Sequence, residues 1–285
     1  METRLSIILP ARNEADGLKR VLPELKRRYP QAEILVIDDG SSDDTAAVGR
    51  EQGARVISHP YGMGNGAAVK TGIRRATGEI LVLMDADGQH RPEDIERLLA
   101  KLDEGYEMVV GARDSGSQAS IGRWFANTFY NGYASWMVGQ RIKDLTSGFR
   151  AVRAERMREF IHMLPNGFSY PTTSTMAFFR SGYPVAYVPI KAEARLGKSH
   201  IRPLRDGIRF LLIMFRIGTL YSPLKIFLPF ALLHFLIGAA YYAYTYSHYG
   251  RFTNMSALLL SSSVIIFLIG LIAEQITMLL YSRAD

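Results

Sequence analysis

The sequence predicts an α/β domain with a mostly parallel sheet, followed by a C-terminal two-helix membrane hairpin. Short runs that are apolar throughout alternate with amphipathic segments over residues 4–113. That alternation is the pattern of parallel strands covered by helices on both faces. Two longer apolar segments, residues 224–246 and 255–281, carry one charged residue each. At about 1.5 Å of rise per residue, either segment can cross a hydrocarbon core of about 30 Å.

Five strands are predicted from the short apolar runs. They fall within residues 4–10, 32–45, 54–58, 79–87 and 106–113, and the second and fourth run into acidic residues. The helix after the first strand presents one apolar face, formed by Leu18, Val21, Leu22 and Leu25. Because parallel sheets bind ligands at the carboxyl ends of their strands, the residues there are candidate site residues. They are Pro10, Arg12, Asp38, Asp39, Asp85 and Asp87.

Asp85 and Asp87 are separated by one residue at the end of the predicted fourth strand. In an extended segment two such side chains point the same way and can share a hard divalent cation, to which Gln89 can add a carbonyl oxygen. Mg²⁺ or Mn²⁺ bound in this way completes its coordination with substrate phosphates. The alternative is capping of the helix that begins near Pro92, although a cap needs only one acid.

Two further segments leave alternatives open. The acids in DDGSSDDT (38–45) either accept hydrogen bonds from ribose hydroxyls or cap the next helix. The glycines of YGMGNGAAVKTG (61–72) match neither the dinucleotide fingerprint nor the Walker A loop. That segment is therefore either a ligand contact or a plain tight turn.

Charge and composition restrict the partners. The absence of Cys excludes disulfides, thiolate metal sites and Cys nucleophiles. Positive residues cluster before the hairpin, whereas the loop between the spans has only Arg251. The positive-inside rule therefore predicts a multi-pass protein of the cytoplasmic (inner) membrane, with residues 1–223 and the C-terminus on the cytoplasmic side. We attribute the net charge of +7 to lipid headgroups and phosphates rather than to nucleic acid.

The predicted organisation is a catalytic domain over residues 1–202, a juxtamembrane helix over 203–223 and the hairpin over 224–285. The juxtamembrane segment is amphipathic and predicted to lie in the interface, with a core helix as the alternative. The aromatic segment 124–138 is predicted to line a lipid entrance in part and to pack in the core in part. Glu274 in the second span either contacts a neighbouring helix or lipid headgroup, or reaches toward the interface.

Four segments together resemble the family-two inverting glycosyltransferases of GT-A fold. They are ILPARNE (8–14), IDDGSSDDT (37–45), MDADGQHRPEDI (84–95) and DLTSGFRA (144–151). Within that family the sequence is most similar to the dolichol-phosphate mannose synthase and polyprenyl-phosphate glycosyltransferase branch. The resemblance covers roughly residues 4–220. No single motif is specific, but the combination is.

The resemblance implies a Rossmann-like catalytic domain that moves one sugar from a UDP- or GDP-sugar to a polyprenyl phosphate, with Mg²⁺ or Mn²⁺ as cofactor. The nucleotide-sugar would be bound by Pro10, Arg12, Glu14, Ile37, Asp39, Asp85, Ala86, Asp87, Arg195 and Lys198. The metal would be held by Asp85, Asp87 and Gln89. The acceptor phosphate would be held by Arg113, Arg123, Asn127 and Ser147. Catalysis would rest on Asp87, Arg113 and Arg123.

The sequence departs from the family pattern in two places. Arg12 stands where Tyr is common, and His200 stands where Lys is common. Attraction to anionic lipid is the alternative role for Arg195 and Lys198. Asp144 is the nearest candidate for a general base. The Q-x-x-R-W motif of processive synthases is absent, which favours transfer of a single sugar.

Two other classes of function remain at this stage. A membrane scaffold without activity would keep the fold, but the intact pair of aspartates argues against it. A sugar nucleotidyltransferase shares the sheet and the acids, but it needs no membrane hairpin. Relatives associate through their membrane segments, so a homo-oligomer is a further expectation.

Overall fold

The computed structural model describes residues 4–113, 121–167, 169–191, 215 and 218–282, and for residues 121–127, 280 and 282 it describes the backbone alone. The chain divides into two compact units. The first comprises Met1–Ser135 and Gln140–His200, and the second comprises Trp136–Gly139 and Ile201–Asp285.

The first unit is built on a seven-stranded sheet in the order β3-β2-β1-β4-β6-β5-β7. The strands are β1 (Leu5–Ala11), β2 (Glu33–Asp38), β3 (Arg55–Ser58), β4 (Ile80–Leu83), β5 (Met108–Arg113), β6 (Arg150–Arg153) and β7 (Val185–Ile190). Neighbouring strands pair in parallel except around β6, which runs antiparallel to β4 and β5. The predicted α/β class with a mostly parallel sheet is confirmed.

Helices cover the sheet. They are α1 (Ala15–Arg28), α2 (Thr45–Glu51), α3 (Asn65–Arg75), α4 (Asp94–Asp103), α5 (Ile121–Val138), α6 (Ala154–Glu159) and α7 (Tyr170–Arg180). The predicted apolar face of α1 is buried against the core, where Leu18, Leu22 and Leu25 have no exposed surface. Complete burial of such a side chain contributes about 1.5–3 kcal/mol. The core therefore fixes α1, and with it the loop between β1 and α1.

All five predicted strands are present, but β6 and β7 were not predicted. The β6 segment RAVR has two apolar residues between arginines, which is too short for periodicity to identify. In β7 the burial alternates, because this strand lies at the edge of the sheet beside β5. The second and fourth strands end at Asp38 and Leu83, so most of the predicted acids lie in loops that follow them.

The second unit contains a hairpin of two long apolar helices, α8 (Pro223–Tyr249) and α9 (Asn254–Ser282). Only 11% and 17% of their most apolar windows are buried, so neither is the core helix of a soluble domain. These exposed apolar helices associate with the membrane, as the sequence predicted.

Small residues at seven-residue spacing form the seam between the two helices. The buried positions are Ala231, Gly238 and Thr245 in α8, and Ser256, Ser263 and Thr277 in α9, with Gly270 at the same spacing. A Cβ atom at Gly270 would lie 2.6 Å from Cβ of Phe227. Seven-residue spacing of small side chains lets two membrane helices approach closely with a left-handed crossing.

Two charged side chains bond to backbone groups at helix ends, one at the start of α8 and one at the end of α5. The Leu224 N–H donates to Oε2 of Glu274 at 3.1 Å, so Glu274 contacts the neighbouring helix. The Lys225 ammonium donates to the carbonyl oxygens of Trp136 and Met137 at 3.0 and 2.9 Å. Helix ends leave such N–H and C=O groups without partners inside the helix, and these two charged side chains supply them.

Candidate active site

A cavity of about 360 Å³ opens at the carboxyl edge of the parallel strands. It is lined by Pro10, Ala11, Arg12, Glu14, Asp39, Gly64, Asn65, Ala68, Asp85, Ala86 and Asp87. Most of the residues predicted to bind a nucleotide-sugar therefore meet at one site. Ile37 does not line this cavity, because its side chain is fully buried within β2.

Asp39 is an acid of the cavity that is held by three hydrogen bonds. Its Oδ1 accepts from the Met63 N–H and from His59 Nδ1, both at 2.8 Å, and its Oδ2 accepts from the Gly64 N–H at 2.8 Å. Burial raises the pKa of this carboxyl, but the bonds from His59 and the two N–H groups outweigh burial and lower it. Asp39 is therefore ionised and held in one orientation.

The loops after β1 and β2 are joined by side-chain hydrogen bonds. The Asn13 N–H donates to Oγ of Ser41 at 3.0 Å, and the Ser42 N–H donates to Oδ1 of Asn13 at 2.8 Å. The Glu14 N–H donates to Oγ1 of Thr45 at 2.9 Å. These bonds fix the backbone on both sides of Asn13, and so they position Arg12 and Glu14 at the cavity.

The acids of residues 38–45 differ in their surroundings. Oδ1 of Asp38 accepts from the Ser41 N–H at 3.0 Å, and Oδ1 of Asp43 accepts from the Thr45 N–H at 3.0 Å. Both are local capping contacts. Asp39 alone among the three lines the cavity.

The glycine-rich turn is packed under a distant loop. The first N–H groups of α3, from Gly66 and Ala67, donate to the carbonyl oxygens of Gly167 and Asn166 at 3.1 and 2.9 Å. Gly64 has φ +105°, and a Cβ atom there would lie 2.5 Å from the Asn166 carbonyl oxygen. The start of α3 is thus capped by this loop, and Gly64, Asn65 and Ala68 still line the cavity.

Asp85 and Asp87 both line the cavity. Oδ1 of Asp87 accepts the Gln89 N–H at 3.1 Å, which closes the turn after β4. Within the described part of the chain no three His, Asp or Glu side chains cluster as a metal site. Two carboxylates beside an open cavity nevertheless fit Mg²⁺ or Mn²⁺, which bind through one or two carboxylates and substrate phosphates.

Gln89 and His90 differ from the two aspartates. Gln89 is half-buried and does not line the cavity. The His90 ring is buried and stacks on Phe149 with centroids 4.9 Å apart. That stacking places the His90 ring in the protein core, beside the motif.

Arg113, at the end of β5, is held by Asp144. The Arg113 Nε and Nη2 donate to the two Asp144 oxygens at 2.8 and 3.0 Å, and Nη2 also donates to Oγ1 of Thr146 at 2.6 Å. Burial raises the Asp144 pKa, but the bonds from Arg113 outweigh it and lower the pKa. An acceptor of this many bonds is a poor general base, and its evident role is to orient Arg113.

Ser147 comes to the same edge because β6 is antiparallel. Leu83 pairs with Arg150 across β4 and β6, and Val110 pairs with Arg150 across β5 and β6. The residues before Arg150 therefore lie between those that follow β4 and β5. Ser147 is 2% exposed, and its Oγ has no hydrogen-bond partner in the described structure. A buried hydroxyl without a partner is a candidate ligand contact.

Several predicted residues lie outside the described structure. They are the side chains of Arg123 and Asn127, together with Arg195, Lys198 and His200. The predicted juxtamembrane helix over 203–223 also falls largely in this part of the chain. Their roles remain predictions.

Sequence reasoning overlooked the residues that support the site. Gly17 of α1 packs so closely that a Cβ atom there would overlap the Ala86 carbonyl oxygen. The fully buried Arg150 donates to the Pro171 carbonyl and to Ser174. His59 was detectable in principle, because it follows the third strand at the same carboxyl edge as Asp39.

Comparison with known proteins agrees with this geometry. Residues 6–162 match the model of glycosyl transferase family 2, and residues 222–279 match the GtrB C-terminal hairpin. The chain is 32% identical to polyprenol monophosphomannose synthase of Mycolicibacterium smegmatis over 213 residues, covering 69% of this chain and 80% of that one. It is 37% identical over 164 residues to undecaprenyl-phosphate 4-deoxy-4-formamido-L-arabinose transferase of Klebsiella pneumoniae, covering 53% of this chain and 49% of that one.

Solved structures share the fold at low identity. Glucosyl-3-phosphoglycerate synthase of Mycobacterium tuberculosis, in complex with Mn²⁺, uridine diphosphate and glucosyl-3-phosphoglycerate, superposes with a TM-score of 0.59 at 22% identity. The match covers 75% of this chain and 80% of that one. The family match spans more than half of the sequence and includes the strands and acids that build the cavity. The chain belongs to glycosyl transferase family 2 and carries a segment that matches the GtrB C-terminal hairpin.

Proposed function

We propose that this glycosyltransferase moves one sugar from a UDP- or GDP-linked donor to a polyprenyl phosphate, with inversion at the anomeric carbon. The observation that carries the proposal is the placement of Asp85 and Asp87 in the cavity, on a chain that also carries a hairpin able to span a membrane. The named relatives act on polyprenyl or undecaprenyl phosphates. A lipid acceptor explains why a sugar transferase needs that hairpin.

The donor would occupy the cavity. Pro10, Arg12 and Glu14 would contact the nucleotide, and Asp39 would accept a hydrogen bond from a ribose hydroxyl. Asp85 and Asp87, with Gln89, would hold Mg²⁺ or Mn²⁺, which stabilises the negative charge of the leaving nucleoside diphosphate. Arg195 and Lys198 would contact the diphosphate.

The acceptor phosphate would be bound by Arg113 and Ser147, with Arg123 and Asn127. The Nε and Nη2 groups of Arg113 donate to Asp144 and Thr146. Within the described structure, its Nη1 group remains for a ligand. A phosphate monoester has a second pKa of about 6 and is therefore largely ionised at neutral pH. It can therefore attack the anomeric carbon without a protein base.

The membrane topology that we propose follows from the distribution of positive charge along the sequence. Both termini and the first unit lie on the cytoplasmic side of the inner membrane, and the two apolar helices cross it. This places the cavity where nucleotide-sugars are made. Association of hairpins from several copies into a homo-oligomer is part of the same proposal.

The test is transfer of labelled sugar to lipid. Purified full-length protein is incubated with Mg²⁺ or Mn²⁺, undecaprenyl phosphate and a panel of UDP- and GDP-sugars. We expect label in the organic phase from one donor, and a loss of at least about a hundredfold in Asp87→Asn, since removal of a ligand lowers metal-supported stabilisation by several kcal/mol. Asp103→Asn, an exposed acid at the end of α4, is the matched control. Full activity in Asp87→Asn would refute the metal assignment.

A further inference from the structure

His59 lies behind the cavity and is not one of the residues assigned to the site. Its ring joins the ends of two strands to a helix. Nδ1 lies 2.8 Å from Oδ1 of Asp39, which follows β2, and Nε2 lies 2.9 Å from Oγ1 of Thr71 on α3. The side chains of His59 and Asp39 are only 8% and 4% exposed.

The hydrogen bonds define which nitrogen carries the proton. An ionised carboxylate only accepts, so His59 Nδ1 donates to Asp39. In the neutral ring Nε2 then accepts from the Thr71 hydroxyl. The two contacts fix both the tilt and the position of the ring, because they act at opposite edges.

The Asp39 carboxylate is almost filled by protein donors. A carboxylate has about four lone-pair positions, and three are used by His59, Met63 and Gly64. His59 and Met63 both donate to Oδ1, whereas only Gly64 donates to Oδ2. Within the described structure, one position on Oδ2 is left for a ligand at the cavity.

We infer that His59 is a positioning residue for the donor: it orients Asp39 so that the remaining Oδ2 lone pair accepts a ribose hydroxyl of the nucleotide. This inference rests on the proposed function, since it requires a nucleotide in the cavity. Without the donor at Nδ1, the Asp39 carboxylate is held by the Met63 and Gly64 N–H groups alone, so the direction of its Oδ2 lone pair is less firmly fixed. Preorganised acceptors bind more tightly than those that must be ordered on binding.

Two conservative substitutions separate this role from simple packing. The Asn side-chain amide reaches the position of Nδ1, so His59→Asn keeps a donor for Asp39 and loses Thr71. The longer Gln amide reaches the position of Nε2, so His59→Gln keeps the contact with Thr71 and loses the donor. Gln is also closer to His in volume, so a packing role predicts that Gln is the milder change.

The experiment measures equilibrium binding of UDP and GDP, and of their 2′-deoxy and 3′-deoxy forms, to full-length protein by titration calorimetry. For the base that binds, we expect the wild type to prefer the ribonucleotide over one deoxy form by about tenfold or more, the value of one hydrogen bond to a charged group. His59→Gln should lose that preference and His59→Asn should keep it. Arg50→Ala, on the exposed end of α2, should change nothing.

Other outcomes would overturn the inference in distinguishable ways. A ribose preference retained in His59→Gln, or lost equally in His59→Asn, would show that His59 does not act through Asp39. Equal weakening of all nucleotides, with the preference intact, would show that His59 only packs. A wild type that binds nucleotide without ribose preference would remove the role of Asp39 but leave the proposed function. A wild type that binds neither UDP nor GDP would overturn the proposed function itself.

Discussion

Replacement of Asp144 by Asn tests whether this acid orients Arg113 for the acceptor phosphate. Oδ2 of Asp144 accepts from the backbone N–H and Nε of Arg113, at 3.2 and 2.8 Å. Oδ1 accepts from Arg113 Nη2 and from the N–H groups of Thr146 and Ser147, at 3.0, 3.1 and 3.1 Å. An amide has only one acceptor oxygen, so Asp144→Asn must place its NH₂ group against donors at one of these two positions.

The expected loss in free energy of unfolding follows from the hydrogen bonds that Asp144→Asn removes. The less costly orientation keeps the oxygen at the Oδ1 position and gives up the two bonds to Arg113 at Oδ2. Hydrogen bonds to charged groups are worth about 1.5–3 kcal/mol each, or about 3–6 kcal/mol for two. The Arg113 side chain is 34% exposed, so solvent screening reduces the expected loss in free energy of unfolding to about 3 kcal/mol. For a domain of this size, about 3 kcal/mol lowers Tm by about 6–12 °C.

The kinetic consequence should fall on the acceptor. With Arg113 no longer held at Nε, its Nη1 group is displaced from the phosphate, and loss of one such charged bond lowers kcat/KM for the lipid by about 10–100-fold. The donor is bound by other residues, so the KM for the nucleotide-sugar should stay within about twofold of the wild type. The assay varies undecaprenyl phosphate at saturating donor, and then the reverse.

The control is another aspartate paired with an arginine. Asp94 accepts from Arg97 at 2.6 Å on the first turn of α4, and neither residue lines the cavity. Asp94→Asn should leave both kinetic constants unaltered, whatever free energy of unfolding its pair with Arg97 contributes. Normal acceptor kinetics in Asp144→Asn would refute the orienting role, even if Tm fell as calculated.

Three further predictions follow from the packing and the charges. The folded-state pKa values of Asp39 and Asp144 are lowered, so their contribution to stability is complete above the ordinary Asp pKa of about 3.9 and is lost as pH falls through the folded values. Acid unfolding followed by circular dichroism should therefore begin below about pH 4, and less steeply in Asp144→Asn. Gly17→Ala should lower the free energy of unfolding by about 1–3 kcal/mol, because its Cβ would overlap the carbonyl oxygen of Ala86. Since Ala86 lies between Asp85 and Asp87, the KM for the nucleotide-sugar donor should rise several-fold. Gly270→Val should lower the Tm of the detergent-solubilised protein, because its Cβ would lie 2.6 Å from Cβ of Phe227, whereas Ser261→Val on the exposed face of the same helix should not. A Gly270→Val variant with unchanged Tm would contradict close packing of the hairpin.

Hydrophobic patterns along the sequence predicted the first five strands, α1 and the hairpin. The first five strands were recognisable because each contains a short apolar run, and α1 was recognisable because its buried residues repeat at helical spacing. The hairpin followed from length and hydropathy alone. The convergence of Pro10, Asp39 and Asp85 on one cavity followed from the rule that parallel strands carry ligands at their carboxyl ends.

Contacts between residues distant in sequence were not predictable in this way. Nothing in the glycine-rich segment indicates that the first N–H groups of α3 are capped by carbonyl oxygens of Asn166 and Gly167, about a hundred residues later. Likewise, the pairing of Arg113 with Asp144 depends on how the chain returns after α5. Because of that pairing, Asp144, which the sequence offered as a candidate base, is instead the hydrogen-bond partner of Arg113.

The orientation of β6 shows what the resemblance to a family added to the physical reasoning. A sequence of alternating strands and helices favours a parallel β6, and a parallel β6 would place Ser147 at the amino edge of the sheet, far from the cavity. The observed pairing of Leu83 with Arg150 is antiparallel, so the chain before Arg150 passes beside the chain after Leu83. Gly148 marks this closeness, because a Cβ atom there would lie 3.0 Å from Oδ2 of Asp85. One reversed strand thus brings Ser147 to the edge that carries Asp85, Asp87 and Arg113, which only the family motif had indicated.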